Sequence, residues 1–433
     1  MSSAASSVRP QQEAPALESH VRTGKQQLPR KRKRKSEPLH AMVDDVAEQE
    51  VAWSSAVSKF QPGEVWYDTE GRTIQAHGGG ILYHQGLYYW YGENKAGPTY
   101  MSFNLGYSTA RVDIIGISCY SSPDLIHWTH EGPALRGGGH ADLQPRRVAE
   151  RPKVIYHDET RRFVMWLHMD TEDYELARAG VAWSKSPTGP FWYQGSFRPH
   201  GQQARDLTVY KDDDGSAYLV YTSEDNRALH IAQLTEDYLG VRPGYTRAMV
   251  NLKREAPAVF KSAGLYFMMT SGCTGWDPNS AEVFYSKSMM GSDWLPLGNP
   301  CMGATEVERT FTFFSQPTFV LPLPNQPGRF IFMADQWDSE NLSASRYLWL
   351  PMWVLPVPLP VQQVAARQYE AYSAGGVKTM GRQPVLPPSA VDVVVQWESM
   401  WQLQDLQDPP LTRYESQAGG QTVLAEAIVQ SFS

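Results

Sequence analysis

The sequence predicts an all-β chain folded as a five-bladed β-propeller, and three observations carry that prediction. From about Gln61 onward, short apolar-aromatic runs are separated by turn residues, while helical periodicity is scarce. Five times a polar side chain opens an apolar run and an aromatic strand follows; the openers are His77, Glu150, Asp206, Glu255 and Gln316. The following strands begin at Tyr88, Phe163, Tyr218, Tyr266 and Phe330, spaced by 75, 55, 48 and 64 residues. A four-stranded blade takes roughly 40–50 residues, so each interval holds one blade and some loop.

The elements follow in order. In the first unit GGGILY turns at His84-Gln85-Gly86 into LYYWYG, and GISCYSSPDLIHW supplies outer-strand sequence. The second unit runs RPKVIY, a turn at Asp158-Glu159, RRFVMWLHM and then GVAWSKSPTGPFW. In the third, LTVY and SAYLVY flank Asp212–Gly215. That acidic stretch reads as a hairpin turn; as a calcium loop it fails, with Ala217 where glycine is required and Ser223 at the twelfth position. APAVF and LYFMM turn at Ser262–Gly264 in the fourth unit, PTFVL and RFIFM at Asn325–Gly328 in the fifth. Residues 351–390, opening PMWVLPVPLPV, read as a surface insertion because proline removes ladder donors. VDVVVQW then reads as a late strand closing the last blade. The chain divides into a tail (1–60), the propeller (61–400) and a C-terminal tail (401–433).

Composition narrows the function. A net charge of −7 and a pI near 5.9 give no reason to expect nucleic acid on the propeller. No stretch approaches the roughly 18–20 apolar residues of a membrane span. There is no CxxC, HExxH or paired Cys/His set, so neither a metal nor a cofactor is expected. Cys119, Cys273 and Cys301 read as buried free thiols, with a Cys273–Cys301 pair open if the chain is secreted. The run Arg30–Lys35 reads as a solvated tail segment, with a nuclear address as the alternative. No secretory signal is visible, and the compartment stays open.

In a propeller the innermost strands start at one end of the central channel, so the five openers are expected to converge there. Carboxylates in such a place carry a desolvation penalty unless paired. Arg151, Arg205 and Arg254 each adjoin one of the three acids. Catalysis and an ion-pair staple are both compatible with that pattern.

The words AHGGGILYHQGLYYWYGENK, ERPKVIY, ARDLTVYKDDDGSAYLVYTSEDNRALHI, REAPAVF, TSGCTGWDPN and SQPTFVLP resemble glycoside hydrolase family 43, from about residue 64 to 351. They are most similar to its exo-β-1,3-galactanase branch. The resemblance implies a five-bladed propeller and inverting, exo-acting release of galactose from β-1,3-galactan or arabinogalactan-type chains; a monomer acting on a poly- or oligosaccharide is expected. It implies that Glu255 is the general acid, that Asp206 orients it and tunes its pKa, and that Gln316 helps activate water. Glu93, Glu150, Tyr174, Asn226 and Thr274 fall on motif positions that resemble sugar-binding ones. The blade-one aspartate of the wider family is missing, as in the galactanase branch, and Pro317 stands where that branch usually has serine. A β-xylosidase or α-L-arabinofuranosidase of the same family, and a non-catalytic glycan-binding propeller, are the alternative readings.

Overall fold

The computed structural model describes residues 58–102, 109–357 and 391–410. Arg30–Lys35, residues 358–390 of the expected insertion and residues 411–433 of the expected tail lie outside the described residues. The first sheet comprises β1 (His77–His84), β2 (Leu87–Glu93), β5 (Gly116–Ser122) and β6 (Thr129–Arg136). A separate hairpin, β3 (Thr99–Ser102) with β4 (Thr109–Val112), is inserted between β2 and β5. The second sheet holds β7 (Arg147–His157), β8 (Arg162–Thr171), β9 (Arg178–Ser184) and β10 (Trp192–Phe197). The third holds β11 (Leu207–Lys211), β12 (Ala217–Ser223), β13 (Ala228–Gln233) and β14 (Thr246–Ala248). The fourth holds β15 (Arg254–Ser262), β16 (Leu265–Gly272), β17 (Glu282–Ser286) and β18 (Leu295–Gly298). The fifth runs from β20 (Gln316–Pro322) through β21 (Arg329–Gln336), β22 (Arg346–Pro356) and β23 (Val391–Gln396) to β19 (Cys301–Met302) at its outer edge.

The five innermost strands β1, β7, β11, β15 and β20 touch one another in cyclic order, with β20 returning to β1. The chain is therefore the five-bladed propeller that the spacing predicts. Alternation along each strand sends apolar residues to both blade faces, and a separate core fills each wedge. Met165, Leu167 and Phe163 meet Tyr91 between blades one and two. Phe260, Phe267 and Met269 meet Phe332 and Leu350 between blades four and five.

Among the described residues the ring closes without a strand shared between the first and last blades. Blades five and one are joined instead by an aromatic cluster of Phe60, Trp90, Trp128, Tyr347, Trp349 and Trp401. The Tyr347 hydroxyl accepts from the Ala76 amide (2.8 Å) and donates to the Ile74 carbonyl (2.9 Å). Thr318 Oγ1 donates to the Gly79 carbonyl at 3.0 Å. Phe60 and Trp401 stack with centroids 4.2 Å apart, and Trp401 Nε1 donates to the Trp349 carbonyl at 2.8 Å.

Two expected boundaries move. Phe60 and the segment from Trp401 to Leu406 are part of the propeller: Phe60, Trp401 and Leu406 are buried, and Trp353 Nε1 donates to the Leu406 carbonyl. Residues 351–356, expected to open the insertion, continue β22. Pro351 is tolerated because β23 pairs with β22 only from Met352 onward, so its missing N–H falls where no neighbour needs it. No helix among the described residues is long and apolar enough to cross a membrane.

Trp401→Ala should cost about 3–5 kcal/mol, the usual scale for truncating a buried tryptophan. Denaturant melts check this, and a loss below about 1 kcal/mol would mean that the clasp does not hold the seam.

Candidate active site

Four of the five innermost strands carry an irregularity within the first residues after the opener. Register shifts fall between His77 and Gly80, Glu150 and Lys153, Glu255 and Ala258, and Pro317 and Phe319. Bulges of this kind re-aim side chains at a sheet rim. Gly78, Arg151 and Ala256 take the left-handed region, with φ of 59°, 54° and 51°. Glycine is required at the first: a Cβ on Gly78 would lie 2.2 Å from Glu93 Oε1, and one on Gly79 1.9 Å from the Tyr91 carbonyl oxygen. The triple glycine thus lets blade one pass against its own second strand.

Glu255 opens β15. Asn226 Nδ2 donates to its Oε2 and Gln316 Nε2 to its Oε1, each at 3.2 Å, and the Cys273 thiol, which donates to the Asn226 carbonyl at 3.9 Å, lies beside it. These donors suit a carboxylate, but burial and then the neighbouring Asp206 charge oppose ionisation. Together they push the Glu255 pKa up to about 8, even with the Arg151 charge pulling the other way. Glu255 therefore holds its proton to higher pH than an ordinary carboxyl.

Arg151 is the hub. From blade two its Nη2 reaches Asp206 Oδ2 at 3.2 Å and Gln316 Oε1 at 2.5 Å, and its Nη1 donates to the Pro317 carbonyl at 3.1 Å. Its backbone N–H donates to Glu93 Oε1 at 2.9 Å. The Gln316 amide is saturated. Trp337 Nε1 also donates to its oxygen (2.9 Å), while its nitrogen donates to Glu255 and to Ser271 Oγ (3.0 Å).

Glu150 lies in a third, strongly ionised corner. Lys95 Nζ approaches its Oε1 at 3.5 Å, His168 Nδ1 its Oε2 at 3.7 Å, and the Tyr174 hydroxyl donates to Oε1 at 3.1 Å. Burial opposes its charge, but Lys95, His168 and Arg151 outweigh it and hold the Glu150 pKa near 2. Behind it, His168 Nε2 bonds Asp170 Oδ2 at 2.8 Å; burial opposes protonation, yet the two carboxylates raise the His168 pKa to about 10. Asp170 is fixed in turn by the Leu176 and Ala177 amides. Lys95 also pairs with Glu93 Oε2 at 2.7 Å. Burial still pushes the Glu93 pKa upward.

Glu150, His168 and Asp206 bring one potential ligand atom each within 4.8 Å of one another. Lys95 and Arg151 already bring positive charge to these acids, which disfavours a further cation. The expectation of no metal among the site residues is thus left as it was, with its reason in those two cations.

The expected residues are brought together unevenly. Glu255, Asp206, Gln316, Glu93, Glu150, Tyr174 and Asn226 form one connected network. Thr274 does not join it; its hydroxyl donates to the Asp277 carbonyl and accepts from Asn279, which ties the loop after β16 to itself. The neighbouring Cys273 faces Glu255 instead. His77 departs too: it is fully buried, bonded to Asp335 at 3.1 Å and stacked on Tyr347 at 4.8 Å, serving the seam. Of the three arginines beside the acids only Arg151 staples an acid of the centre. Arg205 donates to the Tyr174 carbonyl and Gln203, and Arg254 to Thr270 and the Ser280 carbonyl. Cys119 and Cys301 are buried as expected, whereas Cys273 is only half-buried. Lys95, Ser271, His168, Asp170 and Trp337 were not anticipated. GENK and LHMD do place Lys95, His168 and Asp170 at the ends of the second strands of blades one and two, a usable signal.

A stability test follows from the raised pKa. The folded-state value near 8 exceeds the ordinary 4.5, so stability held by neutral Glu255 is full below 4.5 and is lost as pH rises towards 8. Glu255→Gln removes that loss. Its melting temperature should gain on the wild type between pH 5 and pH 9, and a gap independent of pH would contradict the raised pKa.

Comparison with known proteins bears on this network. The model of glycosyl hydrolases family 43 matches residues 81–312. No curated protein matches the chain. Among solved structures, a GH43 β-1,3-galactosidase is 32% identical over 81% of this chain, with a TM-score of 0.65. A second, solved with galactodeoxynojirimycin, is 36% identical over 79% of this chain and all of its own, also at 0.65. An exo-β-1,3-galactanase from Phanerochaete chrysosporium, solved with galactose, is 35% identical over 68% of this chain, at 0.59. The chain spans 64% of the length of the first and of the fungal enzyme.

Proposed function

The chain belongs to glycosyl hydrolase family 43, and on that premise we propose that it is an inverting, exo-acting β-1,3-galactosidase on galactan or arabinogalactan-type chains. The observation that carries this reading is the half-buried Glu255 carboxyl bonded to Gln316 and close to Asp206, whose charge together with burial raises its pKa. It is supported by the β-1,3-galactosidases and the exo-β-1,3-galactanase to which the chain is similar. All parts of the site come from one chain, which suits action as a monomer. No cofactor is called for, since proton transfer and water attack suffice.

In this reading Glu255 gives its proton to the glycosidic oxygen as the bond from that oxygen to the anomeric carbon breaks. Water adds to the anomeric carbon from the opposite face, and its proton passes to a base. Asp206, held by Arg151, keeps Glu255 protonated until the leaving oxygen develops charge. Glu93, Glu150, Tyr174 and Asn226 line the pocket of the terminal galactose. Thr274 is assigned no sugar contact, given where its hydroxyl points.

One observation favours a second reading of the base. Gln316 has both amide hydrogens and its oxygen occupied, and an amide is a weak base. Glu150 is a carboxylate held ionised. Gln316 could orient the water only by releasing Glu255 or Ser271, so Glu150 is the better candidate for accepting its proton.

Purified protein should release galactose from β-1,3-galacto-oligosaccharides and leave xylo- and arabino-oligosaccharides intact. NMR should show α-galactose as the first product; a β anomer would require a nucleophile and sink the inverting scheme. Glu255→Gln should lose about 10²-fold or more on an unactivated substrate. Asp206→Asn removes a charge that raises the Glu255 pKa, so the alkaline limb of kcat/KM should move to lower pH. A limb that stays put would reduce Asp206 to a structural staple.

The two base candidates separate by rescue. Gln316→Ala should lower kcat by up to about 10³-fold with little change in KM. Azide should restore turnover to Glu150→Gln, giving the inverted glycosyl azide, and not to Gln316→Ala. Rescue of the glutamine variant alone would exchange the two roles.

A further inference from the structure

Between β19 and β20 the chain makes a short helix, α1 (Glu306–Thr310), and then three consecutive left-handed residues. Thr312, Phe313 and Phe314 have φ of 53°, 55° and 58°. None is glycine or asparagine, and Thr312 is β-branched, so each costs about 1–3 kcal/mol and persists only where its surroundings impose it. The anchors are visible. Buried Thr312 donates its hydroxyl to the Asn279 carbonyl and accepts from the Ala281 amide, both at 2.7 Å. Phe313 is buried in the core between blades four and five, and its carbonyl accepts from Gln336 Nε2 at 2.9 Å. Ser315 Oγ donates to the Thr312 carbonyl at 2.6 Å.

Phe314 gains nothing from this strain within the protein. It is 48% exposed, beside Phe311 at 40%. Their rings are nearly parallel, 11° apart, with centroids 6.2 Å from one another. Phe314 precedes Gln316 by two residues, so their Cα atoms lie within about 7 Å. The Gln316 amide touches the acid. The strained turn is also bonded through Asn279 to the loop that carries Cys273, so the pair lies on the same rim as the acid. Aromatic rings bury the apolar face of a pyranose well, and an exposed apolar pair at the mouth of a polar site is otherwise a liability.

We propose that Phe314, flanked by Phe311, is a stacking platform for sugars on the leaving-group side of the scissile bond, so that the enzyme favours longer galactan chains. This rests on the β-1,3-galactosidase reading above. The test compares Phe314→Ala with wild type on β-1,3-galactobiose, -triose and -tetraose, and on β-galactosyl fluoride, whose leaving group has no ring to stack. Phe314→Ala should lose about three- to tenfold in kcat/KM on the tetrasaccharide, mostly through KM, and less than about twofold on the fluoride. Phe314→Tyr should retain the wild-type chain-length dependence. Equal losses on all substrates, or an unchanged chain-length dependence in Phe314→Ala, would overturn the platform while leaving the galactosidase reading intact. A wild type inactive on every galactoside would overturn both. Concentration-dependent self-association abolished by Phe314→Ala would show instead that the pair binds a second copy of this chain.

Discussion

The site depends on one buried cation. Arg151 extends from blade two and is bonded to Asp206 of blade three, to Gln316 and the Pro317 carbonyl of blade five, and through its backbone to Glu93 of blade one. A guanidinium is suited to this place, since its planar set of donors can serve several acceptors at once. Its charge is what makes a cluster of acids tolerable in the channel, and removal of one partner from such a pair leaves the other buried and uncompensated. The left-handed backbone at Arg151 and the adjoining bulge belong to the same device. They turn a strand residue sideways so that it can reach across the channel.

That charge is distributed unequally, and the inequality divides the carboxylates by role. Lys95 and His168 flank Glu150 and keep it ionised, whereas Glu255 receives neutral donors and the like charge of Asp206. Two glutamates at equivalent positions in the second and fourth units of a repeating fold thus have their pKa values driven in opposite directions. The difference comes from what stands opposite each of them, because the strand starts themselves are alike.

This explains what was legible in the sequence. Blade number, the hairpin at Asp212–Gly215 and the late strand at Val391–Gln396 follow from spacing, turn chemistry and alternation, all local properties. The polar openers were legible too, because a strand start in a propeller has a fixed place. What spacing could not show is reach across the channel. Arg151 adjoins Glu150 in sequence, yet its guanidinium pairs with Asp206. Thr274 and Cys273 differ by one residue, and the turn after β16 gives Glu255 the thiol and keeps the hydroxyl. His77 shares the opener's position but is drawn into the seam by Asp335 and Tyr347. Proline misled at the other end, since Pro351 enters a strand where no donor is needed.

The seam between blades five and one has a consequence for how the molecule is made. The second, third and fourth blades are antiparallel sheets of consecutive strands and can form from contacts close in sequence. The Phe60–Trp401 clasp and the Tyr347 bonds to Ile74 and Ala76 join residues separated by most of the chain. The entropy of closing so long a loop must be met before those contacts give anything back. Ring closure therefore carries a larger loop-closure entropy than the hairpins within a blade. The polar centre is assembled across that boundary, with Thr318 and Gln316 on one side and Gly79 on the other, so Arg151 finds its blade-five partners only when the last blade arrives. A chain ending before blade five would hold Arg151, Asp206 and Glu255 without the Gln316 and Pro317 acceptors that the guanidinium uses.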